Sequence, residues 1–100
     1  MELKVDEIYT FKLNSGEELV AKVVSVANDH LMISEPVSIG PNANGNLGLV
    51  PSMFTYNMRE SVRLNNTSIS LVAETDDNVK TKYIEATTGL QVPNKKVLIG

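Results

Sequence analysis

The sequence predicts an all-β fold: a small, strongly bent antiparallel barrel or sandwich of five strands, followed by a short C-terminal helix. Three observations carry this reading. Apolar and polar residues alternate at period two through much of residues 9–73, and turn-forming clusters interrupt the alternation at short intervals. Only after Asp77 does the period lengthen to that of a helix. Residues 1–75 therefore read as the β unit, and residues 76–100 as a helix and extended tail packed on it.

Tyr9, Phe11 and Leu13 alternate with Thr10 and Lys12, as in a half-buried first strand. Asn14-Ser15-Gly16-Glu17 turns the chain, with Gly16 supplying the positive φ that such a turn favours. Leu19, Ala21 and Val23 continue one face of a second strand, and Val24 and Val26 then add apolar residues on the other parity. A strand apolar on both parities is either sharply bent, so that it feeds two faces, or buried on both sides. Leu31, Met32 and Ile33 begin a third strand that pauses at Glu35-Pro36 and resumes at Val37 and Ile39. Proline has no N–H to give a ladder, which places Pro36 at an edge or a bulge. Gly40 to Gly48 is a loop rich in asparagine and glycine.

Val50 to Leu64 reads as one long fourth strand, with Phe54, Tyr56 and Met58 on one parity and Met53, Asn57, Arg59 and Ser61 on the other. Asn65-Asn66 is a turn, and Ile69, Leu71 and Ala73 form one face of a fifth strand. Asp77 is positioned to cap a helix over residues 77–88, in which Val79, Tyr83 and Thr87 fall four apart with Ala86 alongside. Gly89 stops this helix, and Leu90 provides the apolar contact of its C-terminal cap. Beyond it the chain is extended, with Val97-Leu98-Ile99 suited to docking on the barrel or on a neighbour.

Composition narrows the function. One hundred residues with 42% hydrophobic content suit one domain with a modest core, for which oligomerisation would add burial. The chain has no cysteine, which excludes disulfides, thiolate metal sites and a thiol nucleophile, and fits a reducing compartment. No run nears the roughly 18 apolar residues of a membrane span. The expectation is a soluble cytoplasmic protein with no membrane partner. Nine Lys and Arg stand against twelve Asp and Glu, and Lys95-Lys96 is the one basic cluster. That balance argues against groove binding to duplex DNA, where phosphate neutralisation dominates affinity. It leaves room for single strands held by stacking and base-edge contacts. His30 lacks a nucleophile in a recognisable elbow, and phosphate loops and metal-ligand spacings are absent. No enzyme, metal or cofactor is expected.

The opening meander resembles the Sm-like family, which includes the bacterial RNA chaperone Hfq and the archaeal and eukaryotic Sm proteins. Phe11, Leu13, Gly16 and Leu19 fall in step with the first family motif, and Ala21 stands where its second glycine would be. With one extra residue before the turn, Asn28 meets the motif's Asp and His30 its stacking residue; Leu31 meets the Met and Met32 the Asn. Met32 departs from the pattern, since a thioether cannot give the hydrogen bonds by which that asparagine reads a base. The second motif falls on Arg63-Leu64-Asn65-Asn66, without its glycine. Over residues 7–74 the resemblance implies an SH3-like barrel and a homo-oligomeric ring, in which the fourth strand of one subunit pairs with the fifth of the next.

In such a barrel the turns after strands two and four meet at one rim, which brings Asn28, Asp29 and His30 beside Arg63, Asn65 and Asn66. Imidazole can stack on a base, asparagine can bond its edge and arginine can meet phosphate, so these six residues are the candidate binding site for single-stranded RNA or DNA. The plainer alternative is that the asparagines are turn formers and His30 a solvated loop residue. The chain is then a structural or assembly module whose barrel binds protein.

Overall fold

The computed structural model describes residues 1–41 and 43–91, and the expected docking of Val97–Ile99 and the cap contact of Leu90 lie outside the described residues and side chains. Strands β1 (Ile8–Leu13), β2 (Glu18–Val26) and β3 (His30–Pro41) are followed by β4 (Leu47–Pro51) and β5 (Val62–Asn65). A 3₁₀ turn (Asn66–Ser68), β6 (Ile69–Glu74) and helix α1 (Asp77–Gln91) complete the order. The six strands form one antiparallel sheet in the order β4-β3-β2-β1-β6, with β5 paired to the first half of β3. The fold is small and mostly β with one C-terminal helix, and among the described residues no ladder joins the β4 and β6 ends of the sheet.

The expected long strand Val50–Leu64 is two strands, β4 and β5, separated by irregular chain. The parity of Phe54, Tyr56 and Met58 suggested continuity, but local polar groups outcompete the ladder. Asn57 accepts the Arg59 N–H through Oδ1 at 3.0 Å, and its carbonyl accepts the Glu60 N–H at 3.0 Å. This side-chain turn offers the backbone an alternative to strand pairing. The loop expected at Gly40–Gly48 is correspondingly shorter, because Gly40 pairs with Gly48 and Pro41 with Leu47.

The period-2 face of the first three strands is the core. Tyr9, Phe11, Leu19, Ala21, Val23, Leu31 and Ile33 are buried together with Leu64, and Leu3, Leu13, Val62 and Ile69 pack around them. At the β1–β2 turn Gly16 takes a φ of 96°, as its position required. In β6 the pattern misled: Ile69 is half-buried but Leu71 is 66% exposed, because that strand lies at the sheet's edge.

β3 does not pause at Glu35-Pro36. It runs through, with a bulge in which Glu35 and Pro36 together oppose Ala21 of β2, and a second slip follows at Val24 of β2. Each bulge bends its strand and increases its twist. Glu35 carries a φ of 50°, in the left-handed region that costs a non-glycine residue about 1–2 kcal/mol. The Ser34 and Glu35 carbonyls are both taken by the Tyr83 hydroxyl, at 3.0 Å each. Tyr83 is the buried residue of α1 among the described side chains, and its phenol is pushed well above the usual range, first by burial and then by the Glu35 charge.

Val79 and Thr87 flank Tyr83 on the half-buried face of α1, as their spacing required, whereas Ala86 is exposed. The cap is Asp76 rather than Asp77: Asp76 Oδ2 accepts the N–H groups of Asn78 at 3.0 Å and Val79 at 3.3 Å. Asp77 adds negative charge to the first turn, where the helix dipole favours it. Nor does Gly89 stop the helix, which runs to Gln91. One glycine costs a helix only about 1 kcal/mol relative to alanine. The threonines are accommodated by back-bonding, Thr81 to the Asp77 carbonyl at 3.1 Å and Thr87 to that of Tyr83 at 2.9 Å.

Two substitutions test these anchors by denaturant unfolding. Tyr83→Phe leaves two carbonyls without their donor and is expected to cost about 1–3 kcal/mol. Asp76→Ala removes the helix cap and is expected to cost about 0.5–2 kcal/mol.

Candidate nucleic-acid interface

All six residues singled out in the sequence come together at one end of the sheet. The Ala27 N–H donates to the His30 carbonyl at 2.9 Å, closing the β2–β3 turn over Asn28 and Asp29. β5 runs back along the start of β3, placing Asn65 opposite His30, Leu64 opposite Leu31 and Arg63 opposite Met32. The Asn66 N–H then reaches the Asp29 carbonyl at 3.0 Å, and its side-chain Nδ2 reaches the Asn28 carbonyl at 3.2 Å. The turn and the β5 end are thereby stitched into one rim.

Asp29 is the electrostatic centre of this rim. His30 Nδ1 lies 2.7 Å from its Oδ1, and Arg63 Nη2 lies 3.6 Å from its Oδ2. Arg63 also donates from Nε to Asn65 Oδ1 at 2.8 Å. The hydrogen bond from His30 holds the Asp29 carboxyl below the usual carboxylate range, with the charges of His30 and Arg63 adding to it. An ionised carboxylate can only accept, so Nδ1 of His30 carries the proton. Nε2 is then an acceptor on the neutral ring and a donor on the charged one. The Asp29 side chain is 75% exposed and that of His30 22%, so the ring is partly seated while its partner faces water.

The arrangement leaves specific groups for a ligand. His30 offers its ring and Nε2, and Arg63 retains guanidinium donors beyond Nε. Asn66 can accept through Oδ1, because Nδ2 is spent on the turn. Met32, half-buried and opposite Arg63, supplies no base-reading amide. Val26, Leu71 and Val72 line an apolar cleft that Asn66 borders.

Sequence reading missed the support behind the rim. Asn14 donates from Nδ2 to the Thr67 carbonyl at 2.6 Å, accepts from Ser70 Oγ at 2.6 Å, and donates its backbone N–H to Ser68 at 2.9 Å. These bonds pin the 3₁₀ turn that begins at Asn66 to the β1–β2 turn. Asn14 looked like an ordinary turn residue, and no local signal marks a partner more than fifty positions away. The helix is held elsewhere, at Ser34 and Glu35, and none of its hydrogen bonds among the described residues reaches the rim.

Among the described residues no group of three His, Cys, Asp or Glu side chains is placed to hold a metal ion, and no helix is long and apolar enough to cross a membrane. No protein-family model matches the chain, and no curated protein matches it either.

The Asp29 pairing has a pH signature. Its folded pKa lies below the ordinary value of 3.8, so its stabilising effect is complete above 3.8 and is lost as pH falls through the lower folded value. Asp29→Asn should lower the melting temperature at pH 7, and the gap from the unaltered protein should narrow as pH approaches 3. A gap constant across that range would contradict the pairing.

Proposed function

We propose that this chain is a non-enzymatic Sm-like protein that assembles as a homo-oligomeric ring and binds single-stranded RNA or single-stranded DNA at its rim, in the processing or remodelling of nucleic acids. The observation that carries this reading is the rim itself, in which His30, Arg63 and three asparagines converge around Asp29 from two separate strand junctions. Treating β4 and β5 as two halves of one interrupted strand gives the five-strand order of an SH3-like barrel. The paired bulges in β2 and β3 supply the sharp bend that such a barrel needs.

The strand edges support assembly. β6 pairs with β1 alone, and β5 with β3 alone, so each has an open side among the described residues. β6 exposes Leu71 and Val72, open strand edges invite pairing, and a β5-to-β6 contact repeated head to tail would close a ring. Stacking is worth about 1–3 kcal/mol per base, so one rim binds weakly and a ring gains through effective concentration.

A second reading has its own support. The rim satisfies much of its own polar capacity, and the net charge of −3 favours no polyanion. On that reading the chain is a structural or assembly module of SH3-like shape that binds protein rather than nucleic acid.

Fluorescence anisotropy with labelled oligo-U, oligo-A and single-stranded DNA, at low and moderate salt, separates the two. The first reading expects saturable binding that His30→Ala weakens by about fivefold or more, as the loss of one stacking partner implies. Binding that is absent at high micromolar protein, or indifferent to this change, supports the second. Native mass spectrometry should find one closed oligomer; a strict monomer at all concentrations rules out the ring.

A further inference from the structure

The β3–β4 hairpin closes where Pro41 pairs with Leu47. Among the asparagines of the chain, Asn44 alone is followed by glycine, and it stands in this connection. Asn44 and Gly45 are both exposed, beside the sheet's edge strand β4. Gly45 takes a φ of 84°, and nothing lies within 4 Å of the place a β-carbon would occupy. A left-handed turn residue of this kind favours glycine, and asparagine before it is a common hairpin pairing.

The same dipeptide has a chemistry of its own. The Gly45 amide nitrogen can close a five-membered ring on Cγ of the Asn44 side chain. A β-carbon on the following residue would crowd that nitrogen and restrict the backbone rotation the attack requires; glycine removes both obstacles. The turn that favours glycine is therefore also what makes its asparagine neighbour reactive. Asn44 is engaged by an interaction of its own in the folded chain, so ring closure draws on moments when the tip opens. Exposed tips of edge hairpins open at low cost. Asn14, which precedes Ser15, is by contrast held through its side chain to both Thr67 and Ser70, at 2.6 Å each.

We propose that Asn44 is a site of self-modification by deamidation. The Gly45 nitrogen bonds to Asn44 Cγ, the Cγ–Nδ2 bond breaks, and ammonia leaves with the proton from the Gly45 nitrogen. One solvent water opens the resulting succinimide at either carbonyl, giving aspartate or isoaspartate, and the new carboxyl gives its proton to ammonia. Either product adds one negative charge to a chain of net charge −3. Isoaspartate also routes the backbone through the side chain, which lengthens the connection and loads the adjoining pairs Pro41–Leu47 and Gly40–Gly48. Among the described residues β4 pairs with β3 alone, so its first residues feel the change. The site lies at the opposite end of β3 from His30 and is independent of what binds at the rim.

The full folded chain, held at mildly alkaline pH and 37 °C, is sampled over time by peptide mass mapping, with fragmentation that separates isoaspartate from aspartate. Asn44 should convert ahead of every other asparagine, and faster as pH rises, because the attacking nitrogen must lose its proton. Asn44→Gln should abolish conversion at this position on the same timescale, since glutamine must close a larger ring. In concentrated urea, where turn strain plays no part, Gly45→Ala should slow conversion at Asn44 about tenfold or more, as a higher barrier to ring closure implies. Amide hydrogen exchange over residues 47–50 should quicken in the isoaspartate form and stay unchanged over residues 9–13. Conversion at Asn44 no faster than at Asn14, or found in urea but not in the folded chain, overturns the proposal. So does a rate in urea indifferent to Gly45→Ala. Unchanged exchange over residues 47–50 in the isoaspartate form overturns the effect on β4.

Discussion

The bulge at Glu35-Pro36, held by the Tyr83 hydroxyl, is the constraint on which the rest of the arrangement depends. Proline removes one ladder donor, and the left-handed Glu35 turns the strand out of its regular path. Two successive carbonyls are thereby directed to one phenol that the helix delivers into the core. The bend lets one continuous β3 serve two partners, β5 along its first half and β4 along its second. Without that division the β5 end would not meet the β2–β3 turn, and the six rim residues would not share an end of the sheet.

The rim is organised from its backbone outward. Main-chain bonds close the turn and tie Asn66 to it, and side chains then distribute around Asp29. Asn14 reinforces the same place from behind by bonding three successive parts of the 3₁₀ turn and β6. Much of the polar chemistry at this end is therefore structural first. What is left for a ligand is a seated imidazole, part of a guanidinium and a few amide atoms, a set suited to flat unpaired bases more than to a phosphate lattice.

The first three strands were legible because period-2 alternation and burial agree there: Tyr9, Phe11, Leu19, Ala21, Val23, Leu31 and Ile33 lie where their parity places them. Pro36 was legible as an edge or a bulge, because its missing N–H is a covalent fact, but not as a bulge inside a continuous strand. Alternation failed between Val50 and Leu64, where the Asn57 side chain replaces strand pairing by a local turn. It failed again in β6, since parity cannot say whether a strand is covered on either face. The helix face at Val79, Tyr83 and Thr87 was readable, but its boundaries were not, because Asp76 and Asp77 are chemically equivalent as caps and one glycine is a weak stop. The rim residues were grouped from two turns together with the barrel that the family resemblance implies. Their internal pairing could not be read, since each bond depends on distances that only the folded register sets.

The sharing of Asp29 between His30 and Arg63 bears on how the rim would meet a charged ligand. An arginine that already has a carboxylate close by carries a thinner cloud of small anions and exerts less pull at a distance. A phosphate arriving at Arg63 exchanges places with Asp29 instead of freeing solution ions, so little entropy is gained from their release. Affinity built on such a residue is low at the outset but tolerant of ionic strength. The rim would discriminate by the shape of what stacks on it, not by how much charge that ligand carries.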